Sequence, residues 1–201
     1  MEKTDPPLRA VLFDMDGTLT RPTLDFRAVR AAIGLPEPLL ENMLALPKGA
    51  TRDRAFALLE KHEEAAALGS VLNPGTREIL SFLEERGIRT GLVTRNSRKS
   101  VRQTLARHGL RFDAVRSRED GPVKPDPFAI LGLCEELGAL PEETLLVGDY
   151  KYDIQAGERA GTRTVLLVNG APPLFRDEIS PDHVIHALDE MASILDQITK
   201  R

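Results

Sequence analysis

The sequence predicts an α/β protein on a doubly wound, mainly parallel Rossmann-like sheet, with a small all-helical segment inserted after the first strand. Three observations carry this expectation. Short apolar runs (Leu8–Phe13, Ile88–Val93, Glu143–Val147, Thr164–Val168) have the length and composition of strands buried on both faces. Amphipathic helical patterns separate them, the alternation that builds parallel sheets from crossover units. Between the first two runs, Arg21 to Asn73 read as helical throughout and interrupt a strand-helix-strand unit. The expected division is a core of residues 1–20 and 75–201 and a helical segment of residues 21–74.

With 201 residues and 41% hydrophobic content, the chain can bury a full core. A net charge of -4 argues against nucleic acid as a partner, which usually shows as an excess of Lys and Arg on one face. Met1 to Pro7 lack an apolar signal core, and no run approaches the roughly 18 apolar residues of a membrane span, so no membrane partner and a cytoplasmic location are expected. Cys134, the single cysteine, falls in an apolar helical pattern and reads as a small core residue. Aromatic residues are 4% of the chain with no Trp, which argues against a stacking platform for bases or sugars. Nothing in the sequence sets an oligomeric state.

The first strand runs into Asp14-Met15-Asp16-Gly17-Thr18-Leu19-Thr20. On an extended segment residues i and i+2 point to one side, so Asp14 and Asp16 face one pocket as the strand opens into the Gly17 turn. Like charges held so close are relieved by a divalent cation or a proton. Ligands of open α/β sheets bind beyond the carboxyl ends of the strands, where this pair stands.

In the inserted segment, Asp25 caps a helix over Phe26–Ala32, followed by helices over Pro36–Leu46 and Thr51–Leu68. Prolines 22, 36 and 47 and the Asn73-Pro74-Gly75 turn punctuate them. Seven basic and seven acidic residues leave the segment without net charge. Lys48, Arg52 and Arg54 cluster near the start of its third helix.

A helix over Thr76–Arg86 ends at Gly87, and the strand Ile88–Val93 leads into Thr94-Arg95-Asn96-Ser97. Ser97 caps a helix to Arg107. A Thr at a strand end before a helix N-terminus suits phosphate, because its hydroxyl and the open amides beyond it all donate. A short strand over Phe112–Arg116 and a polar loop precede Pro122-Val123-Lys124-Pro125-Asp126-Pro127, whose prolines keep Lys124 out of the helix that follows to Leu137. The strand Glu143–Val147 ends in Gly148-Asp149-Tyr150-Lys151-Tyr152-Asp153, with its second Asp one helical turn after the first. A strand over Thr164–Val168, a loop at Pro172-Pro173, a short edge strand over His183–Ile185 and a helix over Leu188–Ile198 complete the pattern. None of the four His residues falls beside the carboxylate motifs.

Taken together, the Asp14–Thr20 motif, Thr94, Lys124-Pro125-Asp126-Pro127 and Gly148-Asp149 with Asp153 resemble, in order, the four motifs of the haloacid dehalogenase-like hydrolase superfamily. The resemblance implies a Mg2+-dependent phosphatase of a small phosphorylated metabolite, of the phosphoglycolate or sugar phosphate type, working through an aspartyl-phosphate. It makes Asp14 the nucleophile and Asp16 the general acid/base, with the Asp14 carboxylate, the Asp16 backbone carbonyl and Asp149 on Mg2+. Asp153 acts through a water or by orienting Lys124. By the same resemblance Thr94 binds the phosphoryl oxygens and Lys124 neutralises phosphate and nucleophile, while Asn96 adds a substrate or phosphate contact and Arg95, like Arg98, is a further contact or equally a surface residue.

Dehalogenases of the superfamily lack the second Asp and P-type pumps carry Thr there, so Asp16 points to a phosphatase or a phosphomutase. The insertion resembles the helical cap of the subfamily that includes phosphoglycolate phosphatase and β-phosphoglucomutase. That makes Lys48 and Arg52 contacts for a second anionic group, or equally solvated charges balancing Asp53 and Glu60. Tyr150 and Tyr152 stand where many relatives have small or polar residues. A phosphomutase using the same residues is the nearest alternative, and a non-catalytic module binding a phosphorylated ligand is a further one. A phosphonatase would need a Schiff-base lysine; Lys48 and Lys61 are available and nothing marks either.

Overall fold

The computed structural model describes residues 6–170 and 173–199; Met1–Asp5 and Pro172 of the expected loop lie outside the described residues. Strands β1 (Ala10–Phe13), β2 (Arg89–Val93), β3 (Ala114–Arg116), β4 (Thr144–Gly148), β5 (Arg163–Leu167) and β6 (His183–Ile185) form one sheet in the order β3-β2-β1-β4-β5-β6. Every neighbouring pair is parallel. Strand order reverses between β1 and β4, the switch point at which open α/β sheets form their crevice. Register then fixes what meets there: Phe13 lies opposite Leu92 of β2 and Val147 of β4, so the three strands end at one level.

The helices are α1 (Phe26–Ile33), α2 (Leu39–Ala45), α3 (Ala50–Gly69), α4 (Thr76–Glu85), α5 (Arg98–His108), α6 (Phe128–Leu137), α7 (Lys151–Ala160) and α8 (Met191–Thr199). The chain falls into two compact units. One holds the sheet and takes the described residues up to Pro22, Val71–Arg95 and the described residues from Leu110 on; the other is helical, Thr23–Ser70 with Asn96–Gly109.

In the sheet unit, β1 and β4 are buried along their whole length, as strands covered on both faces must be. Ala129, Ile130, Leu133 and Cys134 of α6 pack on Leu12, Val93, Ala114 and Leu146, together with Ala156 and Ala160 of α7. Each fully buried Leu or Ile there contributes about 1.5–3 kcal/mol relative to exposure. Burial pushes the Cys134 thiol up, as befits a core residue rather than a nucleophile.

In the helical unit, Asp25 accepts from Ala28 N at 3.0 Å and caps α1. Helix α3 packs along α5, whose buried residues are the small Ser100, Val101 and Thr104. Glu63 of α3 is buried, and its Oε2 accepts from Ser97 N at 3.1 Å, where a carboxylate meets the positive end of α5. Ser97 Oγ accepts from Ser100 N, the cap expected of it.

Candidate active site

Asp14 is the first residue past β1, and its amide donates to Val147 O at 2.9 Å, extending the ladder by one rung. That rung holds the carboxyl at the level where β4 ends. Lys124 reaches it from the loop after β3: its Nζ donates to Asp14 Oδ1 at 2.6 Å, to Asp153 Oδ1 at 2.6 Å and to Val93 O at 2.8 Å. An ammonium has three N–H donors and here has three acceptors, so Lys124, 2% exposed, is fixed as a tripod. Asp153 accepts on its other oxygen from Tyr150 N at 3.0 Å, which locks it to the first turn of α7. Oxygens of Asp14, Asp149 and Asp153 lie within 4.8 Å of one another.

Three carboxylates around one ammonium leave an excess of negative charge in a buried place. Burial, partly offset by Lys124 and reinforced by Asp153, pushes Asp14 up to about 7. Burial, with the charges of Asp14 and Asp153, pushes Asp149 up to about 8. Burial alone would lower the Lys124 ammonium, but the facing Asp14 and Asp153 hold it above the usual lysine range. Hard oxygen donors with surplus charge fit a divalent cation such as Mg2+.

Backbone geometry brings the Asp149 carboxyl in. Gly17 has φ +91, and a Cβ there would stand 2.0 Å from Asp149 Oδ2, so only glycine serves. Gly148 likewise lies so close to Asp153 that a Cβ would stand 2.3 Å from its Cγ. Thr18 Oγ1 donates to Asp149 Oδ1 at 3.3 Å. Asp16 is half-buried, and its Oδ1 accepts from Thr20 Oγ1 at 3.1 Å. Thr94 is buried at the end of β2, with its amide donating to Arg116 O at 3.0 Å.

The sequence-marked residues thus fall into two groups. Asp14, Lys124, Asp149 and Asp153 converge, and Asp16, Thr94 and Arg95 belong to the same unit. Lys48, Arg52 and Asn96 belong to the helical unit. There, Lys48 is exposed in the turn before α3, and Arg52 donates to Leu46 O at 3.3 Å and lies 5.7 Å from the centre of the Phe56 ring. Asn96 opens the turn into α5.

Sequence reasoning passed over the scaffold of the Gly17 loop. Asn73 Nδ2 donates to Gly17 O at 3.1 Å and Thr18 O at 2.8 Å, while Thr76 Oγ1 donates to Leu19 O at 2.9 Å. Asn169 Nδ2 also donates to Gly17 O. The available signal was an Asn beside Pro-Gly, read only as a turn.

A parallel sheet with three carboxylates and one buried ammonium gathered at its switch point has the build of an α/β enzyme. The chain belongs to the haloacid dehalogenase-like hydrolase family, whose model matches residues 8–161. It is 32% identical to a haloacid dehalogenase-like hydrolase domain-containing protein of Arabidopsis thaliana, over 94% of this chain and 84% of that one. It is 31% identical to an N-acetylmuramic acid 6-phosphate phosphatase of Pseudomonas aeruginosa, over 94% of this chain and 96% of that one. Among solved structures, a hydrolase from Pseudomonas syringae shares the fold with a TM-score of 0.80 at 20% identity, over 94% of this chain and 99% of that one.

Proposed function

We propose that the protein is a Mg2+-dependent phosphatase that hydrolyses a small phosphorylated metabolite through an aspartyl-phosphate on Asp14. The observation that carries this is the Lys124 tripod, which aims one buried cation at Asp14 and Asp153 beside Asp149. The family membership and the phosphatase relative from Pseudomonas aeruginosa support the reaction class.

Asp14, Asp149 and Asp153, with the Asp16 backbone carbonyl, are the groups that would hold the cation. When bound, it supplies positive charge that offsets the phosphate's and keeps the carboxyls ionised at neutral pH. Lys124 adds to that field, and the Thr94 hydroxyl and nearby amides bind the phosphoryl oxygens. An oxygen of Asp14 forms a bond to phosphorus as the ester P–O bond breaks, and the leaving oxygen takes the proton of Asp16. Water then opens the acyl phosphate: its oxygen bonds to phosphorus, its proton returns to Asp16, and inorganic phosphate leaves an intact Asp14 carboxylate. Lys48 and Arg52 are proposed as substrate contacts on the resemblance of the insertion, and Arg95 and Asn96 on their place beside Thr94.

The test is phosphate release from a panel of small esters, with and without Mg2+, for the wild type and Asp14→Asn. The expected result is Mg2+-dependent release that falls in the variant by a factor of at least about 1,000. An acid-labile phosphate accumulating on Asp14 without release would instead indicate a phosphomutase. Neither release nor labelling would leave a binding module.

A further inference from the structure

Lys124 fixes two of the three carboxylates and leaves the third to other groups: its Nζ donates to Asp14 and Asp153 and makes no hydrogen bond to Asp149. Among the described residues the Asp149 carboxylate accepts one hydrogen bond, from Thr18 Oγ1 at 3.3 Å. That is long for a hydroxyl donor, so the aim of the carboxylate depends on where the Gly17 turn is held. The other oxygen of Asp149 lies against Gly17, where a Cβ would stand 2.0 Å from Oδ2. Two consecutive residues, Gly17 and Thr18, thus grip the one carboxylate that the ammonium does not.

The carbonyls of those same two residues are the ones that Asn73 holds, its Nδ2 donating to Thr18 O at 2.8 Å and to Gly17 O at 3.1 Å. These carbonyls belong to the peptides before and after Thr18. Fixing both sets the direction of the Thr18 Cα–Cβ bond, and with it the hydroxyl that faces Asp149. Asn73 is itself placed by its backbone. The chain leaves the sheet unit after Pro22 and returns to it at Val71, and the two passages pair. Arg21 N donates to Val71 O at 2.8 Å, Asn73 N donates to Leu19 O at 2.9 Å, and Thr20 and Leu72 form an antiparallel bridge. Asn169, from the loop after β5, sets a second amide on Gly17 O.

We propose that Asn73, with Asn169 behind it, is a positioning residue of the metal centre: by fixing the peptides that flank Thr18 it orients Asp149 and so sets the affinity for Mg2+. The proposal rests on the reading of Asp149 as a metal ligand of the phosphatase. Neither asparagine is a ligand; both act through Gly17 and Thr18. Groups that hold a ligand from behind typically change metal affinity about 10- to 100-fold.

Calorimetric titration of the metal-free protein with Mg2+ alone reads the effect without turnover, beside urea unfolding of each variant. Asn73→Ala should weaken Mg2+ binding about tenfold, and Asn169→Ala, which leaves Gly17 O to Asn73, about threefold. Thr76→Val removes the donor to Leu19 O, one residue past Thr18, and should lower the urea midpoint with Mg2+ binding unchanged. In a Thr18→Val background Asn73→Ala should weaken binding by less than about twofold, because the hydroxyl it aims is gone. Affinities that fall in step with the urea midpoints in every variant, Thr76→Val included, overturn the proposal, as does unchanged affinity in Asn73→Ala. Asn169 is exposed, so should Asn73→Ala not fold, unchanged affinity in Asn169→Ala is the overturning result. A wild type that binds no Mg2+ sinks the metal reading itself, whereas equal Mg2+ affinity in wild type and both asparagine variants sinks only this inference.

Discussion

Residue by residue, the site depends most on groups that perform no chemistry. Gly17 has room for no side chain, because a Cβ would stand 2.0 Å from Asp149 Oδ2 on a backbone at φ +91. Gly17→Ala should cost about 1–2 kcal/mol of stability from the backbone alone, seen as a lowered urea midpoint. It should also weaken Mg2+ activation about 10- to 100-fold by displacing Asp149, read from the Mg2+ dependence of phosphate release. A variant with unaltered Mg2+ dependence would mean that Asp149 has no share in the metal site. Asp14, Asp149 and Lys124 were legible in the sequence because a charged residue just past an apolar strand, or penned between prolines, has few structural reasons to be there. The packing of Tyr150 against Tyr152 and Phe175, with ring centres 5.1 Å and 4.8 Å apart, was not legible, because a composition of 4% averages over the chain and says nothing about where rings meet.

Among the elements, the Gly17 loop is held by two other loops, through Asn73 and Asn169, and by Thr76 at the start of α4. Asn73 sits 8% exposed with its amide spread over Gly17 O and Thr18 O. Asn73→Ala should lose about 1–3 kcal/mol, since the buried Thr18 carbonyl loses this donor while Gly17 O keeps that of Asn169, and thermal or urea unfolding measures it. A loss below about 0.5 kcal/mol would mean that water replaces the amide. The order of strands and helices followed from periodicity, while their ends moved for local reasons. Helix α2 starts at Leu39 and not at Pro36, because Pro38 disfavours helical geometry in the residue before it. Glu143 is drawn out of β4 into a turn, its Oε2 accepting from Leu140 N at 3.0 Å. That α5 packs along α3 was not readable, since its buried face is Ser100, Val101 and Thr104, too weakly apolar to announce a partner.

The molecule as a whole carries the electrostatic cost of its own site. Asp14 and Asp149 ordinarily ionise near 3.8, and in the fold they are pushed up to about 7 and about 8. Between those limits the folded chain binds more protons than the unfolded one, so stability falls as pH rises. The metal-free protein should have its full share of this stability below about pH 4 and lose it progressively up to about pH 8. Asp149→Asn has no proton to release there, so its urea midpoint should fall less across the same range. Added Mg2+ competes with those protons and should raise the wild-type midpoint more at about pH 8 than at about pH 5. A wild-type profile that rises through that window would contradict the charge balance described for the cluster. The pairing of β1 with β4, Ala10 against Thr144, also bears on synthesis. A chain made from its N-terminus has Leu12 and Phe13 in hand long before the strand that covers one side of them has left the ribosome. Strand β1, buried along its whole length, is thus the first strand made yet gains its second neighbour only after β2 and β3 have been made, and a nascent chain has cause to shield it until then.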